Sequence, residues 1–305
     1  MKKLISALFA FALIFSLTLT ALAANPVGTD KESSLTLVYK HLDKYFEGLE
    51  IKTYRIADAS EDGTFELCAP FDSMPVSIHG ITTQAEWAVV TSTLASYAKA
   101  DKLEPTAKAA TDEKGTVKFE KLSPGMYLTL AVKYEAEEEI TKFENFITVI
   151  PATDTEGNHN YDVTAYPKCE SSKPTVDIIT YKVVKLWADT GYTNKRPKEV
   201  KIDILRDGEI YATESLTAKN NWTYSWTCEN DGAEWHAVER NVPDNYTVSV
   251  TSKGKTIIIT NTYDSPDSSA PQTGDTFVLW PYILILGFCG GIILIIAIWR
   301  KRTEK

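Results

Sequence analysis

Val200-Lys-Ile-Asp-Ile-Leu-Arg-Asp-Gly208 is the stretch that decides the fold. Val200, Ile202 and Ile204 alternate with polar residues, the period of a strand with one buried face. Asp207-Gly208 then supplies the two residues of a tight hairpin turn. Upstream, Val183, Lys185 and Trp187 share one face of another strand, so the Lys185 amine points inward and Lys182 points the other way. Downstream, Ile257 and Ile259 lie on a last strand. Short strands with regular turns over residues 176–264 predict a β-sandwich.

Several motifs of this region keep a fixed order: Lys185-Leu-Trp187-Ala-Asp189, Arg196-Pro197, Val200–Gly208, Asn220-Asn-Trp-Thr-Tyr224 and Ile259-Thr-Asn-Thr262. In that order they resemble the Cna B-type domain from end to end. The resemblance implies a small sandwich related to the prealbumin and immunoglobulin types. It also implies an internal isopeptide bond between Lys185 and Asn261, with Glu239 as the buried acid that assists. The sequence before that glutamate, Trp235-His-Ala-Val238, departs from the family's tyrosine-rich strand. The chemistry is legible in physical terms. A lysine in an apolar core loses the stabilisation of its charge, and its amine becomes a nucleophile. A buried glutamic acid stays protonated and can polarise the amide and shuttle protons.

Residues 25–169 read as an earlier β domain. Leu35, Leu37 and Tyr39 alternate, Leu49–Ile56 repeats the pattern, and Asp62-Gly63 marks a turn. Thr82–Leu103 differs: Thr83 and Glu86 form a capping box, and Trp87, Val90, Leu94 and Tyr97 recur at helical spacing. A helix inserted in a β domain is predicted, its aromatic stripe serving as core packing. Gly115-Thr-Val-Lys-Phe-Glu-Lys-Leu-Ser-Pro-Gly-Met-Tyr-Leu128 reads strand, turn, strand, and resembles the signature of prealbumin-like domains in Gram-positive pilins. Phe146–Pro151 and Tyr161–Pro167 supply the last strands. Lys40 or Lys52 could face Asn145 or Asn160. However, Tyr127-Leu-Thr-Leu-Ala131 lacks the glutamate that related domains place there, so no isopeptide bond is predicted in this domain. The fold class is therefore all-β, with two tandem prealbumin/immunoglobulin-like sandwiches, the first carrying an inserted helix. A hydrophilic linker, 170–175, separates them.

Tyr166-Pro167-Lys168 closes the first domain and resembles the pilin motif of sortase-assembled backbone pilins, although Cys169 stands where that family often has asparagine. The resemblance implies that the Lys168 amine resolves the sortase thioester of another subunit. Head-to-tail linkage of this kind gives an open fibre rather than a closed ring.

The two ends agree with export. Lys2 and Lys3, an apolar run and Ala21-Leu-Ala23 form a signal peptide over residues 1–24. Residues 265–275 hold a second linker and Ala270-Pro-Gln-Thr-Gly274; an apolar stretch, 277–299, and a basic tail, 300–305, follow. The stretch is long enough to span a bilayer as a helix, and the tail fixes its cytoplasmic end. Pro271, Thr273 and Gly274 resemble the LPxTG cell-wall sorting signal, with Ala270 in place of leucine. That resemblance implies a sortase that attacks the Thr273 carbonyl, releases Gly274 onward and joins the chain to an amine, with peptidoglycan or another pilin subunit as acceptor.

The chain carries 32 basic and 41 acidic residues, a net charge of −9. Loss of the two ends removes six basic and two acidic residues and makes the remainder more acidic still. Such a surface does not suit nucleic acid. Cys68, Cys169 and Cys228 are an odd number outside the terminal apolar stretch, which excludes a disulfide-dense scaffold. The four histidines have no metal-ligand spacing, and no cofactor motif or nucleophile–base signature is present. The expected protein is not an enzyme beyond one autocatalytic bond. It is a secreted, wall-anchored pilus backbone subunit, its precursor held in the membrane by the C-terminal helix. Its expected partners are sortase, other pilin subunits and peptidoglycan. The alternative is a non-polymerising adhesin, or a tip or base pilin, that binds host extracellular matrix through the first domain.

Overall fold

A computed structural model describes residues 25–173 and 177–264. The leader, the sorting residues Pro271, Thr273 and Gly274, the apolar stretch 277–299 and the basic tail lie outside the described residues. Within them the fold is all-β and sandwich-like, with one α-helix.

The N-terminal part holds strands β1 (Ser33–Val38), β2 (Glu50–Ala59) and β3 (Phe65–Leu67), then helix α1 (Gln84–Ala100). Strands β4 (Ala107–Ala110), β5 (Thr116–Leu122), β6 (Gly125–Thr129), β7 (Val132–Ala136), β8 (Glu139–Phe143), β9 (Phe146–Ile150), β10 (Asp162–Ala165) and β11 (Cys169–Ser172) follow. They pair as β10-β1-β5, β11-β8-β7 and β9-β6-β2-β3, with β4 on β2. The apolar residues of this part meet in two clusters, one that includes Leu35, Leu37, Tyr39, Phe46, Phe119, Tyr127 and Phe143, and one that includes Tyr54, Ile56, Met126 and Leu128. Two glycines of the strand–turn–strand signature permit close backbone approach. A Cβ on Gly115, which has φ +63°, or on Gly125 would fall 2.3 Å from the carbonyl oxygen of Tyr39 or Ala57 respectively.

The C-terminal part holds β12 (Ile178–Ala188), β13 (Glu199–Arg206), β14 (Glu209–Thr217), β15 (Thr223–Glu229), β16 (Trp235–Arg240), β17 (Tyr246–Lys253) and β18 (Thr256–Tyr263). They form two sheets, β15-β12-β18-β17 and β14-β13-β16. Val183, Ile202, Ile204, Val248, Ile257 and Ile259 are buried in one core, as the period-two pattern requires. In both parts the first and last strands of the sheet lie side by side and parallel: β1 with β10, and β12 with β18. Among the described residues, no ladder crosses from one part to the other.

Two expectations need correction. The stretch expected as a linker begins inside a strand, because Cys169–Ser172 pairs antiparallel with β8. Its polarity misled: an edge ladder is held by backbone groups, and here Thr141 and Ser171 also hydrogen-bond across it at 2.7 Å. The second correction concerns α1. The capping box forms as read, with Thr83 accepting from the Glu86 amide and Glu86 accepting from the Thr83 amide. The helix, however, serves two cores. Val90, Leu94, Ala95 and Ala98 pack on the N-terminal part. Tyr97 and Ala100 belong to the core of the C-terminal part.

Candidate functional site

Lys185 lies on β12, Asn261 on β18 and Glu239 on β16 of the facing sheet. Each alternates with apolar neighbours on an inward face, so the sandwich core closes over all three. The Lys185 and Glu239 side chains have no exposed surface, and Asn261 is fully buried. Parallel pairing sets Asn261 opposite Trp187, two residues past Lys185 on the same face. Glu239 reaches across from the other sheet. Its Oε1 accepts a hydrogen bond from Asn261 Nδ2 at 2.8 Å, and its Oε2 lies 3.6 Å from Lys185 Nζ. Lys185 Nζ also donates to the Leu186 carbonyl at 2.8 Å.

Burial lowers the Lys185 ammonium to about 8, against the pull of the Glu239 charge. Burial likewise raises the Glu239 carboxyl, against the Lys185 charge and the Asn261 hydrogen bond. The two shifts favour the same state, a neutral amine beside a protonated acid. Glu239 Oε2 and Asn261 Oδ1 are buried without a hydrogen-bond partner. Turning the Asn261 amide over brings Oδ1 to the position of Nδ2, where a protonated Glu239 can donate to it.

The surroundings include residues that spacing alone did not mark. The Trp187 ring centre lies 4.0 Å from Lys185 Nζ. Beyond it, Asp189 accepts from Arg196 at 2.7 and 2.5 Å and from the Tyr246 hydroxyl at 3.1 Å. The Arg196 fork holds the Asp189 carboxyl below the usual range despite burial. From α1, the Tyr97 hydroxyl donates to the Glu239 backbone carbonyl at 3.2 Å. The odd tryptophan–histidine start of β16 has a reason here: His236 Nδ1 lies 3.4 Å from Ser96 Oγ, and its Nε2 lies 3.0 Å from Lys99 Nζ, both on α1.

Lys168 stands apart from this cluster. It is exposed between β10 and β11, its carbonyl accepting from the Glu144 amide at 2.9 Å. Buried Pro167 and half-buried Cys169 flank it, with the exposed Tyr166 beyond. The Cys169 thiol is 3.3 Å from His41 Nδ1; Cys68, Cys169 and Cys228 are all unpaired. Of the four residues considered in the first domain, Lys40 lies over the Tyr166 ring at 6.0 Å and the other three are engaged elsewhere. Lys52 pairs with Glu50, Asn145 accepts from the Ala131 amide, and Asn160 accepts from the Asp162 amide. Among the described residues, no group of acidic, histidine or cysteine side chains is placed to hold a metal ion.

Comparison with known proteins gives the following. The collagen adhesin of Staphylococcus aureus is 29% identical over 143 residues, which is 47% of this chain and 11% of that protein. The chain therefore spans about a tenth of the length of the curated relative it matches. Solved structures similar to it include a single B repeat unit of the S. aureus collagen-binding surface protein, at 17% identity, 77% of this chain, 99% of that one and a TM-score of 0.28. The shaft pilin SpaA of Lactobacillus rhamnosus GG gives 13%, 77%, 99% and 0.28. The full-length major pilin SpaD of Corynebacterium diphtheriae gives 11%, 78%, 99% and 0.28. At TM-scores this low, the assignment rests on the sequence family. The matching family is described as the Cna protein B-type domain, and it covers residues 181–262, the span that holds Lys185, Glu239 and Asn261. Residues 181–262 of this chain thus match the model of the Cna protein B-type domain.

Proposed function

We propose that this chain is the backbone subunit of a sortase-assembled pilus, built from two tandem sandwich domains and closed by a Lys185–Asn261 isopeptide bond. The observation that carries the reading is the fully buried lysine–glutamate–asparagine cluster between the two sheets. A lysine and a carboxyl buried without solvent are costly to charge, and condensation removes that cost. The neutral Lys185 amine attacks the Asn261 side-chain carbonyl carbon. Glu239 donates to the carbonyl oxygen and passes the amine proton to the leaving nitrogen. One C–N bond forms, one breaks, and ammonia leaves.

Linkage between subunits uses Lys168, which the described fold leaves open to solvent at the end of the N-terminal part. In this reading sortase cleaves after Thr273 and the Lys168 amine of the neighbouring subunit resolves the thioester. The last subunit passes to peptidoglycan, and the product is a cell-surface fibre. A second reading has one observation in its favour, the match to a collagen adhesin. In it the same anchored stalk does not polymerise, and the chain is a host-matrix adhesin or ancillary pilin.

An SDS immunoblot of wall extracts separates the two. Cells with the unaltered chain should give a ladder that survives boiling and reductant, and Lys168→Ala should abolish it. A single monomer band in both would remove the backbone reading and leave the adhesin.

A further inference from the structure

The open side of the B-type sandwich is covered by the other half of the chain. Its two sheets end on this side at β16 and β17, which do not pair with each other. Helix α1 lies across both. The outward backbone amides of β17 find partners there: Val250 N donates to Thr93 Oγ1 at 2.8 Å, and Val248 N donates to the Pro75 carbonyl at 2.8 Å. On β16 the Tyr97 hydroxyl takes the Glu239 carbonyl. Arg240 binds Asp101, just past the helix, and Asp203 on β13, at 2.5 and 2.7 Å. Tyr97 is only 6% exposed, and its ring is part of the sandwich core.

We propose that α1 is the lid of the lysine–glutamate–asparagine site, and that Tyr97 is a positioning residue that fixes β16 at Glu239 and keeps water from the carboxyl. The inference rests on the isopeptide reading above and adds a requirement to it: the B-type domain forms its bond at full rate only with α1 docked. The physical link is the tautomer of the buried pair. A neutral amine beside a protonated acid is an isomer of the ion pair with the same number of protons. Dryness favours the neutral form, and water favours the ions. Bond formation therefore follows a bell in pH, and admitting water to the site lowers the bell and displaces its two limbs.

The test follows bond formation by intact mass in residues 25–273, which keep both halves whole. The protein is made by cell-free synthesis, translation is stopped, and the mass is read over time across about pH 5 to 9. Tyr97→Phe loses one hydrogen bond and should slow the loss of ammonia about fivefold. Tyr97→Ala opens the lid; it should be slower still, with the two limbs of the bell displaced. Glu209→Ala removes only the exposed ion pair to Lys102 of the 2.7 Å contact and should match the unaltered chain. If the unaltered chain loses no ammonia, the isopeptide reading fails. If it does, and both Tyr97 variants keep its rate and its limbs, the lid is refuted. A slower rate in Tyr97→Ala with unmoved limbs also refutes it, since Tyr97 would then be a stability residue alone. Should Tyr97→Ala not fold, Tyr97→Phe alone decides: a slower rate at unchanged denaturant stability supports the lid, and an unchanged rate refutes it.

Discussion

At Lys185 and Glu239 two shifts that would each be a cost in a finished protein point to the same reactive state. Lys185→Met should fold with its full mass, whereas the unaltered chain should be lighter by about 17 Da, the ammonia lost when the amide forms. By chain entropy, closure of so long a loop stabilises by about 4–5 kcal/mol, so Lys185→Met should unfold at clearly lower denaturant. Glu239→Gln keeps the shape but removes the acid; it should slow bond formation roughly a hundredfold or more, read by the same mass change. Lys185 was legible because it shares a strand face with Val183 and Trp187, so alternation says which way it points, whereas Glu239 and Asn261 were marked by the resemblance to the Cna B-type domain. Tyr97 was not legible as part of this site. Its helical spacing assigned it to a core, but spacing along one helix cannot say which core. The signal that could have helped was on β16, where a histidine breaks the family's usual strand.

Helix α1 shows what periodicity misses at the scale of an element. The apolar stripe on one side predicted one buried face, and that face exists. The other side carries Thr93, Ser96 and Ala100, small or hydroxylated residues that read as solvent-facing yet are buried against β16 and β17. Thr93→Val keeps the shape and strands the Val250 amide, so it should cost about 1–3 kcal/mol in denaturant unfolding. The same junction should respond to acid. Burial and the nearby Lys99 charge hold the His236 imidazole below its ordinary value, against Glu234 and Asp207. Burial would raise Glu234, but His236 and Lys99 more than offset it and hold that carboxyl low. Lys99 Nζ is 2.6 Å from Glu234, and Ser96 is the other α1 group facing the imidazole. A group whose folded form resists protonation loses stability as pH falls below its unfolded value. Docking of α1 should therefore weaken from about pH 6.5 downward through His236, and further below about pH 4.3 through Glu234. Amide exchange at Val250 should quicken over that range, and His236→Asn should remove the upper part of the effect.

Across the described residues, the all-β, sandwich-like character of the N-terminal and C-terminal parts was readable, because turns and strand alternation are local. The joint between them was not. A ladder such as β11 on β8 depends on backbone partners far away in sequence, and polar residues hide it. That joint, together with the parallel pairing of β12 and β18, has a consequence for a polymer held at Lys168 and Thr273. In the proposed fibre, tension entering at Thr273 would pass along the chain to Asn261, cross the amide to Lys185, and run back through β12 and β11 to Lys168. The proposed crosslink would short-circuit residues 186–260. Residues 25–167 would lie beside the load line, so their opening after the bond has formed would not lengthen the fibre. The spans Lys168–Lys185 and Asn261–Thr273 would be taut outside the crosslink, and two strands already hold most of the first extended.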